Sequence, residues 1–323
     1  MKKIVVVGMG NVGFTYVNIA VARGLQAEWI LVDKRMEIAE AHAHDFEDMV
    51  ALMPRNNSKF RAGTLADSTG ADVVVITASI PASKDEMHDR LALAGANANL
   101  MKTFAEELKA ANFKGIVLVA ANPCDVMAAA IHYGTGMPYK KVISTGTFLD
   151  SARFRKLIAQ RLNISADSVY GNMLAEHGAS CMAAWSTVKI GESTIEDLIK
   201  ARKFKRSELK EIAEDSKKEA FYIYGRKGNT QFGIGTSIFE ITDAIINDKR
   251  IVMPLGVKLP KGYKNAGIYS SIPVIVGKNG YDYLPSKMHL SAEEWKEFEE
   301  STSKLAKVHK ETLARIGLDL DFE

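Results

Sequence analysis

The feature that most restricts what this chain can become lies at its N-terminus. There the β-branched run Ile4 to Val7 leads directly into Gly8-Met9-Gly10-Asn11-Val12-Gly13 and a helical pattern from Val12 to Arg23, with Gly24 as a natural C-cap. A strand, a glycine turn and a helix in immediate succession open a parallel crossover unit. Gly8 permits the tight turn, Gly10 lets the backbone approach a pyrophosphate, and Gly13 lets helix and strand pack closely. Asn11 and Val12 stand at the helix start, where free N–H groups favour a phosphate.

Asp33 ends the next β-branched run, Ile30 to Val32, at the distance of about 20 residues that such a turn requires. Its carboxylate can accept hydrogen bonds from both ribose hydroxyls and would repel a 2′-phosphate, so NAD is expected rather than NADP. Further apolar runs follow at Val73 to Thr77, Ile116 to Ala120 and Val142 to Thr145, with a helical pattern from Leu91 to Ala111. Continuous apolar strands alternating with helices imply a parallel sheet covered on both faces. After about Thr145 the order becomes mixed. A helix begins after Asp150, short strands are expected at Val169 to Leu174, and helices at Ser207 to Tyr224 and Gly233 to Ile246. Strands return at Ile251 to Val257 and Ile268 to Val276, with Lys278-Asn279-Gly280 as a hairpin turn. A final helix from Ala292 to Arg315 has Ser291 as N-cap and Glu294 at the capping-box position. The expected fold class is α/β, a Rossmann-type doubly wound parallel sheet with a C-terminal α+β substrate domain. The expected division is an NAD-binding domain over 1–146 and a substrate-binding, catalytic domain over 147–323.

With 323 residues and 47% hydrophobic content the chain can bury a large core. A formal charge of +3, with no block of like charges, argues against nucleic acid or an anionic membrane as principal partner. No stretch approaches the roughly 18 to 20 consecutive apolar residues of a membrane helix. The basic, apolar start is too short for a signal peptide and lacks a cleavage pattern. Cys124 and Cys181 stand in unrelated contexts, which fits a reducing, cytoplasmic compartment and no structural zinc site. His42 and His44 beside Asp45 suggest a metal cluster only in one dimension, because residues i and i+2 do not share a helix face; no metal is expected.

Chemistry is carried by Glu176-His177-Gly178, because histidine is the side chain suited to proton exchange near neutral pH. It gains weight beside Asp150-Ser151-Ala152-Arg153, Asn122-Pro123 and Asp89-Arg90. With VVGMGNVG, ANPCD, GTFLDSARFR, AEHG and KGNTQFGIG in this order, the chain resembles the L-lactate/malate dehydrogenase superfamily over nearly its whole length, closest to L-lactate and L-2-hydroxyisocaproate dehydrogenases. The resemblance implies reversible hydride transfer between NADH and a 2-oxo acid such as pyruvate or 2-oxoisocaproate, in a homodimer or homotetramer. It implies that His177 exchanges the proton, Asp150 holds the imidazole, Arg153 binds the substrate carboxylate through a two-pronged contact, and Arg90 polarises the carbonyl. Asn122 would bond near the nicotinamide or the substrate oxygen, Thr230 would line the pocket, and Ile234 would pack near the nicotinamide ring.

The substrate is read in the stretch SIPASKDEMHDR, Ser79 to Arg90, expected to close over the site as a lid with Arg90 at its catalytic end. In the family the residue six positions before the loop arginine discriminates lactate from malate. Here that count gives Lys84, a point charge that could pair with a second carboxylate. The loop is about two residues longer than in typical lactate enzymes, and VISTGTFLD and AAWSTV also resemble L-2-hydroxyisocaproate dehydrogenase. Malate dehydrogenase is the alternative, although Thr230 argues for the lactate branch. An NAD-dependent glycosidase of related fold would need a divalent metal and would leave LDSAR and AEHG unexplained.

The chain departs from the family in two places. AEHGA stands where lactate enzymes commonly read GEHGD, so Ala179 replaces a carboxylate. Arg155 matches an arginine of the fructose-bisphosphate site of allosteric bacterial enzymes, but its partner histidine position holds Tyr170. No strong activation by that sugar phosphate is therefore expected in steady-state assays; a large drop in pyruvate half-saturation on adding it would contradict this.

Overall fold

The computed structural model describes residues 1–80 and 90–319, with residues 90–93 described at the backbone only. β1 (Lys2–Val7) passes through the glycine turn into α1 (Asn11–Ala22) and on to β2 (Ala27–Val32). α2 (Met36–Ala51) leads to β3 (Lys59–Ala62) at the sheet edge. The chain then returns to the other side of β1 with β4 (Val73–Ile76), α3 (Arg90–Ala110), β5 (Ile116–Val119), α4 (Cys124–Thr135) and β6 (Val142–Ser144). These strands are all parallel, in the order β3-β2-β1-β4-β5-β6. The strand order reverses between β1 and β4, and ligands of open parallel sheets bind beyond the carboxyl ends at such a point. Every residue of β4, β5 and β6 is buried, which is why their sequences are unbroken apolar runs.

α2, β3 and α4 lie outside the sequence expectations, for different reasons. β3 is a short edge strand, Lys-Phe-Arg-Ala, whose charges protect an exposed edge and hide its alternation. α4 is buried on nearly all sides, so it shows no polar face from which a helical period could be read. α2 has a weak stripe of Ala39, Ala43 and Phe46 among charged residues.

The remaining elements are α5 (Phe148–Leu162), β7 (Val169–Tyr170), β8 (Met173–Leu174), β9 (Met182–Ala183), β10 (Lys189–Ile190), β11 (Ser193–Thr194), α6 (Ile195–Lys200), α7 (Arg206–Lys227) and α8 (Phe232–Ile246). They are followed by β12 (Ile251–Lys258), β13 (Tyr269–Gly277), β14 (Gly280–Tyr283) and α9 (Ala292–Arg315). The long antiparallel strands β12, β13 and β14 form no sheet of their own. β12 pairs with β6 at Gly256 and Ser144, so the nine-stranded sheet runs β14-β13-β12-β6-β5-β4-β1-β2-β3. The expected run Val169 to Leu174 divides into β7 and β8, each in a different small sheet. The hairpin turn is Lys278-Asn279, because Gly280 already pairs with Gly277 as the first residue of β14. Ser291 caps α9 as expected, accepting from Glu294 N–H while the Glu294 carboxylate accepts from Ser291 N–H.

The main core runs through the whole sheet, including Leu255, Val257, Ile272 and Val274 of the C-terminal half. A second core gathers Phe154 and Ile158 of α5 with Cys181, Val188 and Phe204. The two halves are joined at α8. A Cβ on Gly235 would lie 2.8 Å from Thr15 Cγ2 of α1, and one on Gly233 would lie 2.9 Å from Leu149 Cδ1 of α5. No helix among the described residues is long and apolar enough to cross a membrane.

Two buried histidines couple this core to pH. His132 of α4 sits in tilted ring contact with Tyr133 and Tyr269, and His309 of α9 shares a hydrogen bond at 2.9 Å from Nδ1 with Leu305 O. Burial pushes each imidazole down to about 4, with Lys258 adding repulsion at His132. The unfolded chain takes up these protons below about pH 6.5 and the folded chain only near pH 4. Stability present above pH 6.5 is therefore lost as pH falls, by about 2 kcal/mol per histidine at pH 5. His132→Phe should keep the apolar packing and flatten the fall in urea midpoint between pH 7 and pH 5; an unchanged slope would contradict the assignment.

Candidate active site

The site begins at the glycine turn. Gly8 has φ +98°, and a Cβ there would lie 2.6 Å from Ala78 N at the end of β4. A Cβ on Gly13 would lie 1.9 Å from Gly8 O, so only glycine lets α1 start this close to the strand. Around Gly10 the opposite holds. Nothing lies within 4 Å of where its Cβ would be, and no side chain caps the helix there. The first N–H groups of α1, at Asn11, Val12 and Gly13, thus face a cradle that suits a pyrophosphate. Asp33 stands beside it, with Oδ2 accepting from Met9 N at 2.9 Å and Oδ1 from Arg35 N at 3.1 Å. Each oxygen retains a lone pair for a ribose hydroxyl. These residues fit a dinucleotide.

The second cluster is built on the first turn of α5. Asp150 is 7% exposed and Arg153, one turn on, is 8% exposed. His177 Nδ1 lies 2.6 Å from Asp150 Oδ2, and Arg153 Nη1 lies 3.6 Å from Asp150 Oδ1. The latter is an ion-pair distance, too long for a hydrogen bond, so Asp150 does not saturate the guanidinium. The Asp150 charge lifts the His177 imidazole above its ordinary value against the opposing effect of burial, and their hydrogen bond adds to the lift. Burial alone would raise Asp150, but the His177 charge and hydrogen bond, with Arg153, outweigh it and hold the carboxyl below its usual range. The His177 side chain is 27% exposed. An imidazole anchored at Nδ1 and open to the surface can exchange a proton at Nε2.

Backbone anchors set the relative placement of these groups, and they converge on Ser271 of β13. Ser271 Oγ accepts from Thr147 N at 2.9 Å just before α5, while Ser271 N–H and C=O pair with Ala175 O and N at 2.9 and 3.0 Å beside the histidine loop. Thr147 Oγ1 donates to Met173 O at 2.6 Å, and Ser216 Oγ of α7 donates to Asp150 O at 3.2 Å. Ala175 is held at φ +71°, a left-handed conformation that a non-glycine residue adopts only when its surroundings enforce it.

The two clusters meet across the carboxyl end of β5. Asn122 follows β5 and is exposed; its carbonyl accepts from Asn97 Nδ2 at 3.2 Å, and Asn97 Oδ1 accepts from Ile80 N at 2.7 Å. Asp125, three residues later, reaches His177 N at 3.4 Å. Ile234 lies in the first turn of α8 between the Gly233 contact to α5 and the Gly235 contact to α1, and Thr230 lies just before that helix, half-buried. Residues 81–89 of the lid segment, Lys84 among them, fall outside the described residues, as does the side chain of Arg90, whose backbone begins α3. Asp125, Asn97 and Ser271 were not expected. ANPCD held the signal for Asp125, a lone carboxylate at the start of an apolar run, whereas Asn97 and Ser271 act through backbone contacts that no spacing reveals.

His42 stacks on Phe14 at 5.5 Å and on Phe46 at 6.3 Å, while His44 lies 3.8 Å from Glu47. Among the described residues no group of three or more His, Cys, Asp or Glu could hold a metal ion.

The sequence and the fold are matched by known proteins. Residues 2–144 match the family model for the lactate/malate dehydrogenase NAD binding domain, and residues 147–316 match that for the lactate/malate dehydrogenase alpha/beta C-terminal domain. The chain is 41% identical over 321 residues to an L-lactate dehydrogenase of Mycoplasmoides gallisepticum, covering 98% of this chain and 99% of that protein. It is 38% identical over 307 residues to one of Mycoplasmopsis pulmonis, covering 95% and 96%. The ligand-bound minor L-lactate dehydrogenase of Enterococcus mundtii superposes with a TM-score of 0.91 at 33% identity, covering 95% of this chain and 97% of that one. With the glycine turn and the Asp150, Arg153 and His177 cluster in place, these matches establish that the chain belongs to the lactate/malate dehydrogenase family.

Proposed function

We propose that this chain is an NAD-dependent L-2-hydroxy acid dehydrogenase of the L-lactate type, reducing pyruvate reversibly to L-lactate. The observation that carries the reading is the His177 ring held 2.6 Å from buried Asp150, one helical turn before Arg153. The L-lactate dehydrogenases among its relatives support the substrate class. Gly8, Gly10, Asn11, Val12 and Gly13 would hold the pyrophosphate, Asp33 the ribose hydroxyls, and Asn122 and Ile234 the nicotinamide end. When bound, NADH would supply the hydride to the substrate's carbonyl carbon.

The protein's own groups perform the remaining work. Arg153 binds the substrate carboxylate through paired N–H donors, which turns the carbonyl toward His177. Protonated His177 gives its Nε2 proton to the carbonyl oxygen as that oxygen gains charge, and takes it back in the oxidative direction. Asp150 accepts the Nδ1–H throughout, fixing the ring and stabilising its charged form. Arg90 would polarise the carbonyl oxygen, Thr230 would line the pocket, and Lys84 would face the substrate side chain. The division into a cofactor domain over 1–146 and a catalytic domain over 147–323 follows the same reading. A cytoplasmic homodimer or homotetramer is proposed with it; both cysteines are free and buried, which suits a reducing compartment.

The test is the initial rate of NADH oxidation with pyruvate, 2-oxoisocaproate, phenylpyruvate and oxaloacetate. Pyruvate or 2-oxoisocaproate should lead; preference for oxaloacetate would move the protein to the malate branch. His177→Asn should lower turnover by about 10²–10⁴-fold while NADH affinity is retained. Arg153→Lys should raise the pyruvate KM by about tenfold or more, since a point charge cannot reproduce the two-pronged contact. Unchanged turnover in the first variant, or unchanged KM in the second, would defeat the corresponding role.

A further inference from the structure

We propose that Asp125 is a second positioning residue for His177: a buried carboxylate that holds the backbone of the histidine loop while Asp150 holds its ring. This rests on the reading of His177 as the proton donor and goes beyond it. Asp125 lies in the first turn of α4 and is 2% exposed. Its Oδ1 accepts from Ser144 Oγ of β6 at 2.6 Å, and its Oδ2 accepts from the N–H of His177 at 3.4 Å. β12 closes the chamber from the side. A Cβ on Gly256 would lie 2.0 Å from Asp125 Oδ1 and 1.9 Å from Ser144 Oγ, so only glycine leaves room for this carboxylate and its donor.

A buried carboxylate is costly unless donors compensate it, and here Ser144 Oγ, the His177 N–H and, more weakly, the Cys124 thiol do so. The groups that face it are Cys124 on its own helix, Ser144 on β6, and Glu176 and His177 on the histidine loop; His309 on α9 meets the Asp125 backbone instead, and β12 presents Gly256. Burial pushes the Asp125 carboxyl up to about 6, against the Ser144 hydrogen bond and the His177 charge that favour ionisation, while Glu176 adds a smaller upward push. Ionised Asp125 in turn raises the His177 imidazole, alongside Asp150. Ala179 carries no charge, so the carboxylate that joins Asp150 in supporting the imidazolium is Asp125. Above about pH 6 the carboxylate grips the loop and supports the charged ring. Below that pH it takes up a proton and loosens both effects.

The test is the pH profile of kcat/KM for pyruvate reduction, with NADH binding followed by fluorescence titration. The wild-type enzyme should show an acid limb near pH 6 from Asp125 and a base limb from His177. Asp125→Asn keeps the size of the group and removes its charge. It should abolish the acid limb, move the base limb down as one of the charges that raise the His177 imidazole is lost, lower turnover at pH 7 several-fold, and leave NADH affinity within twofold. Ser144→Ala keeps the carboxylate but removes the donor that favours its charged form, so the acid limb should move up. If Asp125→Asn does not fold, the Ser144→Ala limb decides the matter. An active enzyme whose Asp125→Asn profile keeps both limbs in place, or whose Ser144→Ala acid limb is unmoved, overturns the proposal. A wild-type enzyme that reduces no 2-oxo acid instead overturns the functional reading beneath it.

Discussion

The proposed chemistry depends on one buried ion pair. Asp150 gives up nearly all its water at the start of α5, a loss that costs several kcal/mol for an unpaired carboxylate. It is offset by the His177 ring at 2.6 Å, the Arg153 guanidinium at 3.6 Å and the positive end of the helix it stands on. The same carboxylate that must be compensated fixes the tautomer of the histidine and keeps its proton available. Arg153 is itself almost completely buried, and in the proposed function a substrate carboxylate would complete the charge balance there.

The rest of the fold can be understood as holding these partners at the correct separation. β12 and β13 extend the parallel sheet past β6, and this extension brings Ser271 beneath both the start of α5 and the histidine loop. A single buried serine thereby sets Asp150 and His177 relative to each other through their backbones. α8 packs its glycines against α1 on one side and α5 on the other, placing the dinucleotide cradle and the acid cluster across one shared wall. The strained Ala175 follows from the same demand, because the loop must turn sharply to present His177 toward α5.

Much of this was legible in the sequence where local rules govern. The glycine turn, Asp33, the apolar strands and the Ser291 cap of α9 all depend on contacts within a few residues or on simple periodicity, and the structure places them as expected. Asp150, Arg153 and His177 were found through motif resemblance; their distances required the fold. What escaped is what long-range packing decides. β3 is too short and charged to announce itself, α4 is too buried to show a polar face, and the joining of β12 to β6 rests on the single pairing of Gly256 with Ser144. Asp125 was visible as a letter in ANPCD, but its contact with a backbone N–H 52 residues away was not.

The most direct test of the central claim is an NMR titration of the His177 imidazole in the protein without ligands, for the wild type and for Asp150→Asn. The buried carboxylate should hold the wild-type midpoint above the ordinary histidine value of about 6.5, and its replacement should drop the midpoint as burial becomes the dominant influence. A wild-type midpoint at or below that value, or one that Asp150→Asn leaves in place, would contradict the account.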